Sequence, residues 1–234
     1  MALTYSTYVT DLANLLVVPP TNPNYQIVLP NIIDDAEQRV YRDLDLLSTI
    51  IRDSTGSLVP NSRNFTFPQH FVVSESINVY TPAGSTTNRY QLVPVTREFL
   101  DAVWPNETTS ATPSIPQYYA MITDQTIIVG PPPDASYALE VVGTIRPAPL
   151  SSTNTTTYLT NYLPDLFMAA SMIFGAGFQL NFSAMGDNPQ QAISWESHYK
   201  ELLASANIEE NRKKYAAAAW SPKQPSPLAT PPRA

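Results

Sequence analysis

A chain of 234 residues is long enough for one large or two small domains whose core needs no metal or disulfide staple. It has no cysteine, which excludes a disulfide framework, thiolate metal sites and cysteine nucleophiles, and its two histidines, His70 and His198, lie too far apart in sequence to suggest a shared metal site. The net charge is −7, only 14% of residues are charged, and 23 are proline, a balance that limits helix and fits a surface largely covered by other protein.

The start of the chain, Met1 to Ser6, carries no basic cluster, and Asp11 breaks the apolar stretch behind it, so no signal peptide is expected. From Thr4 to Leu16 the residues Tyr5, Tyr8, Val9, Leu12, Leu15 and Leu16 recur at helical spacing, with Thr4 as cap. Pro19 and Pro20 require that helix to end near Val18. A second helix is expected from Pro30 at its first position to about Arg52. Asp34, Asp35 and Glu37 fall in its early turns, and Ile33, Ala36, Val40, Leu44 and Leu47 form its apolar stripe.

Between Ser57 and Leu150 the texture changes to β-branched and aromatic runs punctuated by Pro, Gly, Asn and Ser. Strands are expected at 64–67, 71–80, 90–93, 118–123, 126–129 and 137–144, with a hairpin turn at Thr123, Asp124 and Gln125. Phe99, Leu100 and Val103 predict one short helix over the sheet between Thr96 and Trp104.

A Ser/Thr/Asn linker from Ser151 to Thr157 leads to an apolar helix over 163–180. Its longest apolar run, Leu166 to Phe178, is thirteen residues against the ~20 needed for a span, and so predicts a buried core helix. Small residues there (Ala169, Ala170, Ser171, Gly175, Ala176, Gly177) allow a neighbouring backbone to approach. Asn188, Pro189 and Gln191 form a helix-start signature. The helix that follows presents Ala192, Trp195, Tyr199, Leu202, Leu203 and Ala206 on one face and continues to about Tyr215.

Beyond it, five prolines between Pro222 and Pro232 predict an extended tail. From Asn211 onward there are five basic residues and no acid, leaving eight basic against twenty acidic residues in 1–210, so the body is −12 and the tail +5. An extended cationic strip with one large apolar anchor, Trp220, suits a groove on an acidic or mixed partner.

The expected fold class is therefore α+β: a helical bundle built from both ends of the chain (1–56 and 151–217), an inserted antiparallel β-sandwich (57–150) and an extended Pro-rich tail (218–234). The acid pairs Asp34/Asp35, Asp43/Asp45 and Glu209/Glu210 read as helix-dipole or surface acids rather than a catalytic dyad. No serine has a nucleophile-elbow setting and no Gly-rich phosphate loop occurs, so no enzyme activity, cofactor or metal is expected. An acidic body disfavours tight DNA binding but suits the wall of a channel through which DNA slides. The Asn-x-Ser/Thr sequons at Asn64, Asn106, Asn154 and Asn181 read as chance matches.

The order of parts, together with three sets of segments, resembles the head-to-tail adaptor proteins of short-tailed bacteriophages, the tail tubular protein A group. The segments are Leu163 to Met172 with Trp195 to Leu203; Pro116 to Ala120; and Ile127 to Asp134 with Tyr137 to Val142. The resemblance implies a non-enzymatic virion protein forming a ring, usually of twelve copies, at the neck between head and tail. Such a ring joins the portal to the tail nozzle and continues the DNA channel for genome ejection, without a membrane partner. It also implies a carboxy-terminal extension that grips the portal, which here covers Arg212, Lys213, Lys214, Tyr215, Trp220, Lys223 and Arg233. A competing expectation is a carbohydrate- or receptor-binding β module in which Trp104, Tyr118 and Tyr119 are exposed stacking surfaces.

Overall fold

The computed structural model describes residues 3–105, 113–182 and 189–217, with the side chains of 178–193 and 216–217 outside the description. It is a mixed α+β protein that divides into two compact units, 1–47 with 148–234, and 48–147.

The first unit is helical. Helix α1 (Tyr5–Leu15) is capped by Thr4, whose side chain and that of Thr7 exchange hydrogen bonds with each other's backbone amides. Helix α2 (Pro23–Asp43) starts a full seven residues before the expected Pro30, which lies inside it. Its start is set by Asn22, whose Oδ1 accepts from the Asn24 amide at 2.9 Å, with Pro23 in the first position. An interior proline costs about 3 kcal/mol. Burial of Tyr25 and Leu29 in the turns just before it offsets that cost, and Pro30 itself is on the exposed face. The helix stops at Asp43 rather than Arg52, because the chain turns extended at Leu44 and Ile50 already belongs to a strand.

A short helix α4 (Tyr158–Tyr162), not expected from sequence, follows a second reciprocal cap between Thr157 and Thr160. Helix α5 (Pro164–Phe182) contacts α1, α2, α4 and α6 (Pro189–Ala217). A helix surrounded by partners is apolar nearly all round, which is the pattern of its sequence. Leu166, Phe167, Ala169, Ala170 and Met172 are buried in one core with Tyr8, Leu12, Ile32, Ile33, Val40 and Tyr199. Of the small residues, Gly175 has a close neighbour, since a Cβ there would stand 3.0 Å from a Leu16 side-chain carbon, whereas nothing lies within 4 Å of one on Gly177. The Asn188 cap lies outside the described residues.

The second unit holds two four-stranded sheets. One has the order β1 (Ile50–Ser57), β8 (Ala138–Ile145), β3 (Phe71–Thr81), β4 (Asn88–Gln91); the other has β2 (Asn64–Thr66), β7 (Thr126–Gly130), β6 (Tyr118–Met121), β5 (Val93–Pro94). Strand β1 corrects the sequence reading, which ended a helix there; Arg52 and Asp53 pair opposite Val142 and Val141 of β8. Ile77, Val79, Leu139 and Val141 of the first sheet share a core with Phe65, Ile127 and Val129 of the second.

Pairing is antiparallel except between β5 and β6, which run parallel, with Val93 opposite Tyr118. A parallel pair needs a crossover. Helix α3 (Arg97–Val103), capped by Thr96, lies in that connection, so the short helix expected over the sheet is part of a crossover, and the pairing departs from the expected antiparallel one at this pair. Its Leu100 packs with Ala120 and Ile128, and Gly130 admits it: a Cβ there would come within 2.7 Å of Leu100 and Trp104.

Candidate interaction surfaces

The residues read from sequence as a partner-binding strip divide into two groups. Arg212, Lys213, Lys214 and Tyr215 lie on α6, which continues through Ala217; Trp220, Lys223 and Arg233 fall outside the described residues. Within the helical part, the two lysines are engaged inside their own unit. Lys213 Nζ is 2.8 Å from Glu209 Oε1 and 2.7 Å from Glu210 Oε1, and donates to the Tyr158 hydroxyl at 2.9 Å. Lys214 is ion-paired with Asp45. Arg212 and Tyr215 are exposed.

Glu210 is the centre of this clamp. It is 2% exposed, and its carboxylate also accepts from the Leu47 amide at 3.3 Å and from the Tyr158 hydroxyl at 3.1 Å. Burial pushes the carboxyl up, but Lys213, the Leu47 amide and Tyr158 outweigh it and hold Glu210 below the usual carboxylate range. Desolvation likewise disfavours the charged Lys213, and its two glutamates with Tyr158 outweigh that and raise it. The end of α6 is thus fixed to the stretch after α2 and to α4 before the tail begins.

Of the buried charges that the sequence reading did not single out, two tie separate elements together. Glu140, on β8, has a fully buried side chain. It accepts from Tyr80 at 2.5 Å and Asn78 at 3.1 Å on β3, and pairs with Arg52 on β1 and, at 2.8 Å, with Arg89 on β4. Burial alone would raise this carboxyl; Tyr80 and the two arginines outweigh it and lower it. One carboxylate therefore ties all four strands of its sheet. The signal was present as a lone acid within the apolar run Tyr137 to Val142. The other is Arg63, with a side chain 1% exposed, which donates to the Trp104 carbonyl at 2.6 Å and to Asp101 at 3.1 Å and so holds the end of α3.

The aromatic residues expected to be exposed stacking surfaces are instead partly buried. Trp104 and Tyr118 pack beside the Leu100 cluster, 6.2 Å apart between ring centres, and Tyr119 packs on the core between the sheets. Burial also raises the Tyr119 hydroxyl above its ordinary range. His70 faces Asp124 at 3.7 Å with both side chains exposed, and exposed His198 meets Trp195 edge-on.

Of the acid pairs, Asp34 accepts from Gln38, Asp43 accepts from Tyr199 at 2.8 Å, Asp45 pairs with Lys214, and Glu209 and Glu210 share Lys213. Each of these five is accounted for by a structural partner. Among the described residues no group of three metal-ligating side chains comes together, and no helix is long and apolar enough to cross a membrane.

No curated protein sequence matches this chain. A family profile does, over residues 3–226, and its description is SU10 adaptor protein. The match spans both helical segments, the strand region between them and part of the tail. The chain therefore belongs to the SU10 adaptor protein family, structural adaptors of the bacteriophage virion that associate with other head and tail proteins.

Proposed function

We propose that the protein is the head-to-tail adaptor of a short-tailed phage, of the tail tubular protein A type. A ring of copies, twelve in number, would sit at the neck, join the portal to the tail nozzle, and continue the channel through which DNA leaves the head. The family match carries this reading. In it, the helical unit is a bundle forming the ring body, and the two sheets are a sandwich inserted into it. The acidic balance of 1–210 leaves a wall that does not hold passing phosphates. The work is mechanical, without a chemical transformation.

The attachment arm is the cationic segment from Arg212 to Ala234, in which Lys213 and Lys214 hold the root to its own unit and Arg212, Tyr215 and the residues after Ala217 are left for the portal. The clamp at Glu210 supports this role, because it gives the arm a fixed point of departure. The test is electron microscopy of the chain mixed with portal, with and without truncation after Ala219. Rings capping the portal are expected from the full chain and not from the truncated one. Attachment undiminished by truncation removes the arm from the mechanism, and no ring on the portal at all removes the reading.

A further inference from the structure

Helices α1 and α5 leave between them an open groove of about 490 Å³. Leu3, Leu15 and Met168 form its apolar floor, and Asp11 and Asp165 stand on its two sides. Leu15 is 43% exposed, a large apolar side chain that the described residues of its unit leave partly uncovered. Asp11 and Asp165 are both exposed, and Asp165 accepts from the adjoining Leu166 amide in the first turn of α5. A groove of this kind takes a segment that carries one bulky apolar side chain and a cation close by.

The 17 residues after Ala217 have that chemistry. They contain Trp220 and, three residues later, Lys223, with Arg233 near the end and no acid anywhere. Pro222 between the anchor and the lysine limits the conformations the segment loses on docking.

We propose that this groove receives residues Trp220 to Lys223 of a second copy of the chain, with the indole on the Leu15 and Met168 floor and the ammonium between Asp11 and Asp165. The second copy is favoured over the chain's own tail by reach. Asp165 shares a small cavity with Glu209 of α6, while Lys213 lies on Tyr158, so α6 runs away from Asp165 toward Tyr158. From Glu209 to Ala217 it travels about 12 Å further. Trp220 is three residues on, a span of at most ~10 Å, which does not return it past Asp165 to Leu15. The inference rests on the ring reading, in which copies stand side by side. It adds a seat for the arm on the neighbour, leaving Pro225 to Ala234 to continue toward the portal.

The experiment uses the full-length chain with p-benzoylphenylalanine at position 220, prepared in isotopically light and heavy forms, mixed and irradiated. Mass spectrometry is expected to find crosslinks from position 220 to residues 3–15 or 164–168 that join light to heavy chains. Asp11→Asn with Asp165→Asn should lower their yield about fivefold. Lys223→Glu should do the same, and combining it with Asp11→Lys and Asp165→Lys should restore them. Crosslinks confined to one chain, crosslinks elsewhere, no crosslink, or a yield indifferent to the two aspartates overturns the proposal. The portal reading fails separately, when crosslinks between copies persist but the chain does not cap the portal.

Discussion

The hydroxyl of Tyr8 donates a 2.6 Å hydrogen bond to Ser171 Oγ, joining α1 to α5 across 163 residues of sequence. The Tyr8 ring also stacks on Phe167 at 4.8 Å, and the Ser171 hydroxyl donates in turn to the Phe167 carbonyl at 2.7 Å. The first helix and the helical segment that follows the strand region are therefore held together by a polar link inside an apolar core. Burial raises the Tyr8 hydroxyl well above its ordinary range, so it stays a donor at any working pH. Tyr8→Phe keeps the stacking and removes the link, and should cost about 1 kcal/mol. Tyr8→Ala also opens a cavity and should cost about 4 kcal/mol. Urea denaturation of the two variants checks the difference.

Glu37 of α2 is 2% exposed and accepts the Leu150 amide at 3.1 Å. Burial pushes its carboxyl up to about 7, with Asp34 adding to the shift and the Leu150 amide opposing it. In the unfolded chain a glutamate titrates near ~4.3. Between the two values the folded state keeps a proton that the unfolded state has released, so this contribution to stability is whole below about 4.3 and is lost as pH rises toward 7. Glu37→Gln keeps an acceptor for Leu150 and removes the charge. Relative to the parent it should be unchanged at about pH 4 and more stable by on the order of 3 to 4 kcal/mol at about pH 8, read from denaturation midpoints at both pH values.

Glu140 has the opposite sign. Its folded carboxyl is lowered, so its contribution is present above the unfolded value and disappears as pH falls through the folded one. Replacing it by Gln leaves Arg52 and Arg89 without their shared charge and should cost about 2 kcal/mol at about pH 7. The acid limb of the stability profile should flatten in the variant. A Glu140→Gln protein whose thermal midpoint matches the parent at neutral pH contradicts the role given to this carboxylate.

Helix α1 ends in a Schellman arrangement. The Val18 amide donates to the Ala13 carbonyl at 2.9 Å, the Val17 amide donates to the Asn14 carbonyl at 3.1 Å, and Val17 takes a φ of 55°. That is a glycine position occupied by a β-branched residue, 87% exposed, which the described residues of its unit leave almost without packing. Val17→Gly should raise stability by about 1 kcal/mol. A thermal midpoint that falls in this variant shows that the strain is compensated.

The end of α6 can be probed by amide exchange. Glu210→Gln removes the charge that Lys213 and the Leu47 amide share, so the last turns of α6 should exchange about tenfold faster while α5 is unaffected. Equal protection in parent and variant contradicts the clamp.

What the sequence determined by itself is the set of local signals: Thr4 as a cap, the short helix between Thr96 and Trp104, the apolar character of α5, the turn between β6 and β7, and the composition of the tail. These depend on groups a few residues apart, which is why they are readable in order along the chain. The family resemblance also rested on that order. Where local signals competed, tertiary contacts decided. Pro30 looks like a helix start, yet burial of Tyr25 and Leu29 carries α2 through it; Ile50 to Ser57 has no strong strand pattern and is a strand because β8 supplies its hydrogen-bonding partner. The parallel pairing of β5 with β6, the four-strand tie at Glu140 and the clamp at Glu210 join residues separated by tens to more than a hundred positions. Neither periodicity nor composition carries that information, since the free energy of such contacts exists only once distant segments have met.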